Sequence, residues 1–209
     1  MSADSSVSAP APAASAAPAA SGPHDTQQAT PHRRRRRILL VLAGVVAALG
    51  GYTVWTNTHP VRLAASIEIE AAPEQVWAVL TDLDAYPQWN PFITEAVVTS
   101  DDGLRTGATM RNRLEQKGES STFTPTVLEV SAGRELRWLG KVGPGWIGDG
   151  EHRFVIERTG RDTVRLTQSE KFSGVAVPFV ADSLRNDTLP QFRAMNSALK
   201  QRVERLAAR

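Results

Sequence analysis

Apolar and polar positions alternate strictly across residues 66–70, where Ile67 and Ile69 stand against Ser66, Glu68 and Glu70. That period predicts a half-buried strand. It changes at Pro73, a residue suited to the first helical position because its missing N–H would have no partner there. Glu74 adds a negative charge to the first turn, where the helix dipole favours it. Val76, Leu80 and Leu83 then recur at helical spacing, with Trp77 widening the stripe. Pro87 and Pro91 forbid a long helix beyond this point and predict a tight second turn.

Further along, alternating segments are separated by glycine-bearing turns. The pattern predicts strands over 93–100, 109–116, 122–130, 135–142, 146–158 and 163–172, joined as an antiparallel meander. Pro125 is awkward inside its strand and predicts an edge or a bulge. The period changes again near the end. Leu189, Phe192, Leu199, Val203 and Leu206 form one stripe with Met195 beside it, the pattern of an amphipathic helix. Asp182 or Ser183 is placed to cap it, and Pro190 predicts a kink or a restart.

The strand–helix–turn opening over 66–92 resembles the START-like superfamily, also called SRPBCC or the polyketide cyclase/dehydrase and lipid transport group. The resemblance extends from residue 66 to the end of the chain. It implies an α+β helix-grip fold, a curved antiparallel sheet wrapped around a long C-terminal helix with an apolar cavity between them. It also implies a hydrophobic small molecule or lipid as partner and calls for no cofactor. The motif carries a fold and not a reaction.

Composition divides the chain. Ala, Pro and Ser make up 21 of the first 32 residues, so residues 1–32 are expected to be a disordered tail. Residues 1–65 hold six basic and two acidic side chains, leaving 18 basic and 20 acidic on residues 66–209. The folded part therefore lacks the electrostatic footprint of a nucleic-acid binder. With no cysteine in the chain, disulfides and thiolate chemistry are excluded.

Arg33 to Arg37 run directly into an uncharged apolar stretch, residues 38–55. As a helix it would span roughly 27 Å, close to the hydrocarbon thickness of a bilayer. Tyr52 and Trp55 sit at its far end, where amphipathic rings prefer the interface. The basic cluster at 33–37 predicts a single-pass signal anchor with the N-terminus cytoplasmic and the folded domain outside; the resemblance and the Ala/Arg-rich composition imply that the membrane is a bacterial cytoplasmic one. A cleaved signal peptide is the alternative, and a twin-arginine export motif is poorly matched. Residues 56–65 would be a spacer, and 66–209 the domain.

Candidate chemistry is sparse. A three-residue loop over 159–161 would set His152 opposite Gln168, Phe154 opposite Leu166 and Ile156 opposite Val164. His152, Phe154, Gln168 and Glu170 would then share the inward face. His152 could orient a ligand or act as acid/base with Gln168 or Glu170 assisting; it could equally be a satisfied core histidine. Cavity candidates are Trp89, Phe92, Trp138, Trp146, His152, Phe154, Gln168, Phe192 and Met195, with Trp89, Phe92 and Trp146 at the rim. Arg111 and Arg113 are expected in solvent, opposite buried Met110 and Leu114. Residues 173–179 are expected to gate the cavity, touch the membrane or act as a plain connector. The four histidines are too dispersed for a metal site. The sequence is compatible with three functions. They are ligand binding, an enzyme of the cyclase, aromatase or dehydrase kind, and a protein-interaction module with a vestigial pocket.

Overall fold

The computed structural model describes residues 31–209. The predicted tail lies almost wholly outside the described residues. α1 (Pro31–Thr58) is one helix, and its stretch His32–Thr58 is long and apolar enough to cross a membrane. Contacts divide the chain after Ala43, so the second half of α1 belongs with everything up to Arg209.

No ten-residue spacer follows. β1 (Val61–Ile69) starts five residues ahead of the predicted strand, because Val61, Leu63 and Ala65 continue the inward alternation that Ile67 and Ile69 announce. α2 (Pro73–Thr81) begins at the predicted proline, with Gln75 Oε1 accepting the Ala72 N–H at 2.9 Å. Val76, Val79 and Leu80 are its buried face. A 3₁₀ turn (Leu83–Gln88) follows, tied down by Tyr86, whose hydroxyl donates to the Leu80 carbonyl at 2.7 Å.

The remaining strands are β2 (Ile93–Val98), β3 (Met110–Gln116), β4 (Glu119–Phe123), β5 (Thr126–Ser131), β6 (Glu135–Val142), β7 (Gly148–Arg158) and β8 (Val164–Ser173). They pair in the orders β1-β8-β7-β6-β5 and β2-β3-β4, all antiparallel. The expected single strand over 122–130 is two strands broken at Pro125. Register nevertheless continues across the break: Asn112 faces Phe123, and Thr109 faces Thr126. Pro125 has no N–H to give, but its carbonyl accepts from Met110 at 2.9 Å, and the Val127 N–H donates to Ala108 at 2.8 Å. The proline thus bends one long strand and joins the two sheets into a curved antiparallel surface.

α3 (Val177–Ser183) runs through a π-helical turn (Leu184–Thr188) into α4 (Leu189–Ala207). Neither Asp182 nor Ser183 caps a helix start; the Ser183 hydroxyl bonds Asp187 instead. Pro190 lacks an N–H and its ring would crowd the carbonyl four residues back, so the preceding turn widens. α4 lays Phe192, Met195, Leu199 and Val203 into the core, whereas Leu206 is 48% exposed beyond the sheet. Asn196 Nδ2 donates to the Ala65 carbonyl at 3.1 Å and Lys200 Nζ to that of Glu68 at 2.9 Å, fixing the helix along β1. This is the curved antiparallel sheet with a long C-terminal helix that the resemblance implied.

Candidate ligand cavity

Alternation puts Trp138, Gly140 and Val142 of β6 on the same face as Gly148, Gly150 and His152 of β7 and Glu170 and Phe172 of β8. These residues line a cavity of about 420 Å³, closed on the other side by Phe92, Asn112, Leu114, Ala176, Val177, Val180, Leu184 and Thr188, among others. Its volume falls within the range of small-molecule sites. The space exists because the inward column loses its side chains: Gly140 and Gly150 face each other directly across β6–β7.

At the inner end the wall becomes aromatic and polar. His152 is 4% exposed and stacks on Trp138, with centroids 5.0 Å apart and planes 13° from parallel. Phe154 and Phe192 close on the same imidazole at 4.8 and 5.1 Å. The His152 Nδ1 lies 3.2 Å from Glu170 Oε2, and its Nε2 lies 3.0 Å from Gln168 Nε2. With Nδ1–H given to the carboxylate, Nε2 accepts the amide N–H, a tautomer assigned from its partners. Gln168 also approaches Met195 Sδ at 3.5 Å. Both imidazole nitrogens are therefore engaged by the protein.

The hairpin register differs from expectation. His152 pairs with Glu170, Phe154 with Gln168, Ile156 with Leu166 and Arg158 with Val164. The loop is longer than three residues: the Thr159 and Gly160 N–H groups both donate to the Thr163 carbonyl. A two-residue slip preserves which face each side chain occupies, so His152, Phe154, Gln168 and Glu170 still point inward.

Of the candidates read from sequence, Phe92, Trp138 and His152 line the cavity. Phe154, Gln168, Phe192 and Met195 are fully buried around its inner end. Trp89 is off the wall, edge-on to Tyr86 at 5.1 Å. Trp146 is 56% exposed and also off the wall. Arg111 and Arg113 are in solvent, opposite Met110 and Leu114 as expected.

Asn112 went unnoticed in the sequence. It is 2% exposed, lines the cavity, and its Oδ1 has no hydrogen-bond partner among the described residues. Its place between Met110 and Leu114 on the inward face was the available signal. The lining glycines were missed as well: Gly140, Gly148 and Gly150 fall inside the predicted strands 135–142 and 146–158, where a glycine has no side chain to mark a face.

Fold and cavity together define a helix-grip container, sheet on one side and helix on the other. The chain belongs to the polyketide cyclase/dehydrase and lipid transport family, whose model matches residues 60–204. No curated relative matches the sequence. Among solved structures, an aromatase/cyclase, Zhui, from Streptomyces sp. R1128 is similar at 16% identity and TM-score 0.59, covering 70% of this chain and 95% of its own. A START superfamily protein from Mycobacterium smegmatis is similar at 26% identity and TM-score 0.55, covering 69% and 98%. A norcoclaurine synthase from Thalictrum flavum aligns at 16% identity and TM-score 0.56, covering 71% and 98%.

Proposed function

We propose that this protein holds a hydrophobic small molecule or lipid in the cavity between sheet and C-terminal helix, without catalysing its conversion. One observation carries the reading. The cavity is mostly apolar, and the buried imidazole in its wall has both nitrogens bound to Glu170 and Gln168. A general base needs a free lone pair within reach of a substrate proton, and here that lone pair is taken by an amide. Asn112 Oδ1, unpartnered at the opposite wall, offers an acceptor to a ligand hydroxyl or N–H.

In this reading residues 1–32 are a tail, Arg33 to Arg37 a cytoplasmic stop cluster, and residues 38–55 a retained membrane anchor with the folded domain outside the cytoplasmic membrane. Tethering raises the effective concentration of the pocket near lipid. Native mass spectrometry of the full chain released from detergent tests the binding role. A co-released lipophile supports it. A cavity that carries none and takes up no N-phenyl-1-naphthylamine overturns it.

The aromatase/cyclase and the norcoclaurine synthase among the similar structures favour a second reading, an enzyme using His152 as acid/base with Glu170 assisting. Turnover of a polyketide-like substrate that vanishes in His152→Ala, with the fold intact, would establish it over the first.

A further inference from the structure

The end of the cavity lined by Val142, Ile147 and the half-exposed Val180 and the exit of α1 lie at the same end of the sheet. Val61, the first residue of β1, pairs with Phe172; Phe172 pairs with Gly150, and Gly150 with Gly140. The last three line the cavity. α1 ends at Thr58, and three residues of chain reach at most about 11 Å. The apolar helix therefore delivers the polypeptide into the row of residues that forms the cavity's outer portion. The Gly160 hairpin lies at the other end of the sheet, where Ile69 pairs with Val164.

One side-chain hydrogen bond joins helix and mouth, and two backbone bonds close the mouth behind it. The Tyr52 hydroxyl donates to the Val175 carbonyl at 3.0 Å. Val175 and Ala176 in turn donate their N–H groups to Trp146 and Ile147, both at 3.0 Å. Around this seam the protein exposes large apolar side chains: Phe179 at 82%, Trp146 at 56%, Val142 at 57% and Val180 at 46%. Val142 and Val180 also line the cavity, whereas Trp146 and Phe179 stand outside it. A cluster of this kind at a cavity mouth is costly in water and suited to the apolar boundary of a bilayer.

We infer that the mouth formed by the 142–147 turn and the start of α3 docks on the bilayer that holds α1, so that the cavity exchanges its ligand with lipid and not with water. This rests on the proposed lipophilic ligand and membrane-held helix. Phe179 and Trp146 act as the wedge, and the Tyr52–Val175 bond orients the mouth toward the membrane surface.

Because the chain has no cysteine, single sites can be labelled. Full-length Phe179→Cys, Trp146→Cys, Trp55→Cys and Gly160→Cys, each carrying an environment-sensitive dye, would be reconstituted in phosphatidylcholine/phosphatidylglycerol vesicles with and without brominated acyl chains. Docking predicts loss of most emission at positions 55, 146 and 179 and none at 160. Quenching at 55 with none at 146 and 179 overturns the docking while leaving the anchor standing. No quenching at 55 overturns both. The Trp146→Asp/Phe179→Asp variant should exchange N-phenyl-1-naphthylamine with vesicles severalfold more slowly, yet bind it unchanged in detergent; unaltered exchange also overturns the proposal. Quenching at the mouth with a cavity that takes no probe would remove the ligand reading alone.

Discussion

His152 Nδ1 sits 3.2 Å from Glu170 Oε2, directly across the β7–β8 ladder, in a wall shared with Trp138, Phe172 and two facing glycines. The carboxylate holds one nitrogen while Gln168 holds the other, so the ring cannot turn without breaking a bond to a buried group. Although the buried Gln168 Oε1 finds no partner among the described residues, such a network restricts the side chains to one arrangement. It is exposed to any single deletion for the same reason.

His152→Phe should keep the stacking on Trp138 and fill the same space. It leaves the Gln168 amide without its partner and Glu170 without a donor, a loss of about 1–3 kcal/mol. Urea unfolding measures this, and adding Gln168→Leu should recover part of the loss. A neutral single variant would show that the three groups do not act together.

Gly150 and Gly140 face each other, but their substitution should differ. A Cβ at Gly150 would lie 2.6 Å from Glu170 Oε1, so Gly150→Ala must shift the carboxylate that bonds His152. A Cβ at Gly140 meets only the Gly150 carbonyl at 3.8 Å. Gly140→Ala should fold normally and narrow the cavity. Probe titration is expected to show weakened binding in both, with a drop in melting temperature only for Gly150→Ala.

The Tyr86 phenol is fully buried, and burial, helped by the Asp82 charge, pushes its pKa far above the usual value. It stays neutral and donates to the Leu80 carbonyl, locking the 3₁₀ turn to the end of α2. Tyr86→Phe should cost about 1–2 kcal/mol by orphaning that carbonyl. Thermal unfolding would reveal it; an unchanged midpoint would mean the carbonyl finds another donor.

Glu204 links α4 to the end of β1. Burial works to raise its pKa, but the Lys200 ammonium and the Glu70 N–H outweigh it and hold it below 4.5. A carboxyl depressed on folding stabilises the protein above its unfolded pKa and loses that contribution as pH falls through the lowered folded value. Stability of the wild type should thus decline below about pH 4.5 more steeply than that of Glu204→Gln. Parallel acid melts of the two proteins would test this. Identical curves would exclude Glu204 as a contributor.

Glu135 follows the same sign. Its hydrogen bonds to Arg153, at 2.9 and 2.6 Å, lower its pKa despite the opposing effect of burial, and Arg137 and Arg134 reinforce them. Arg153→Met should therefore raise the pH at which acid unfolding begins. Nuclear magnetic resonance titration of the Glu135 carboxyl would show its pKa moving up toward the usual range.

Much of the fold was legible because periodicity reports burial directly. Pro73 and Glu74 marked the start of α2, and the stripe from Phe192 to Val203 marked the buried face of α4. The face of His152 was legible for the same reason, since a two-residue slip leaves parity intact. Its partner was not, because the Thr159–Thr163 loop length depends on backbone hydrogen bonds that no residue type at Gly160 dictates. Asn112 shows a different limit. Parity placed it inward, but only the opposing wall reveals that its amide oxygen meets no donor among the described residues.

The sequence by itself determined which segments alternate, which are helical, where the apolar run and its arginine cluster lie, and which family the chain resembles. These follow from local chemistry, a side chain's polarity set against the period of its own backbone. Tertiary structure decided the rest. Pro125 became the bend that joins two sheets only because the Met110 N–H lay across from its carbonyl. Gly140 and Gly150 became an open stretch of cavity wall only because strand pairing set them face to face. His152 lost its free lone pair to Gln168, sixteen residues away, and the cavity's outer row came to lie at the exit of α1 through pairs of residues as much as 111 positions apart. Such relations depend on register and curvature, which sum contacts over the whole sheet and are written in no single segment of it.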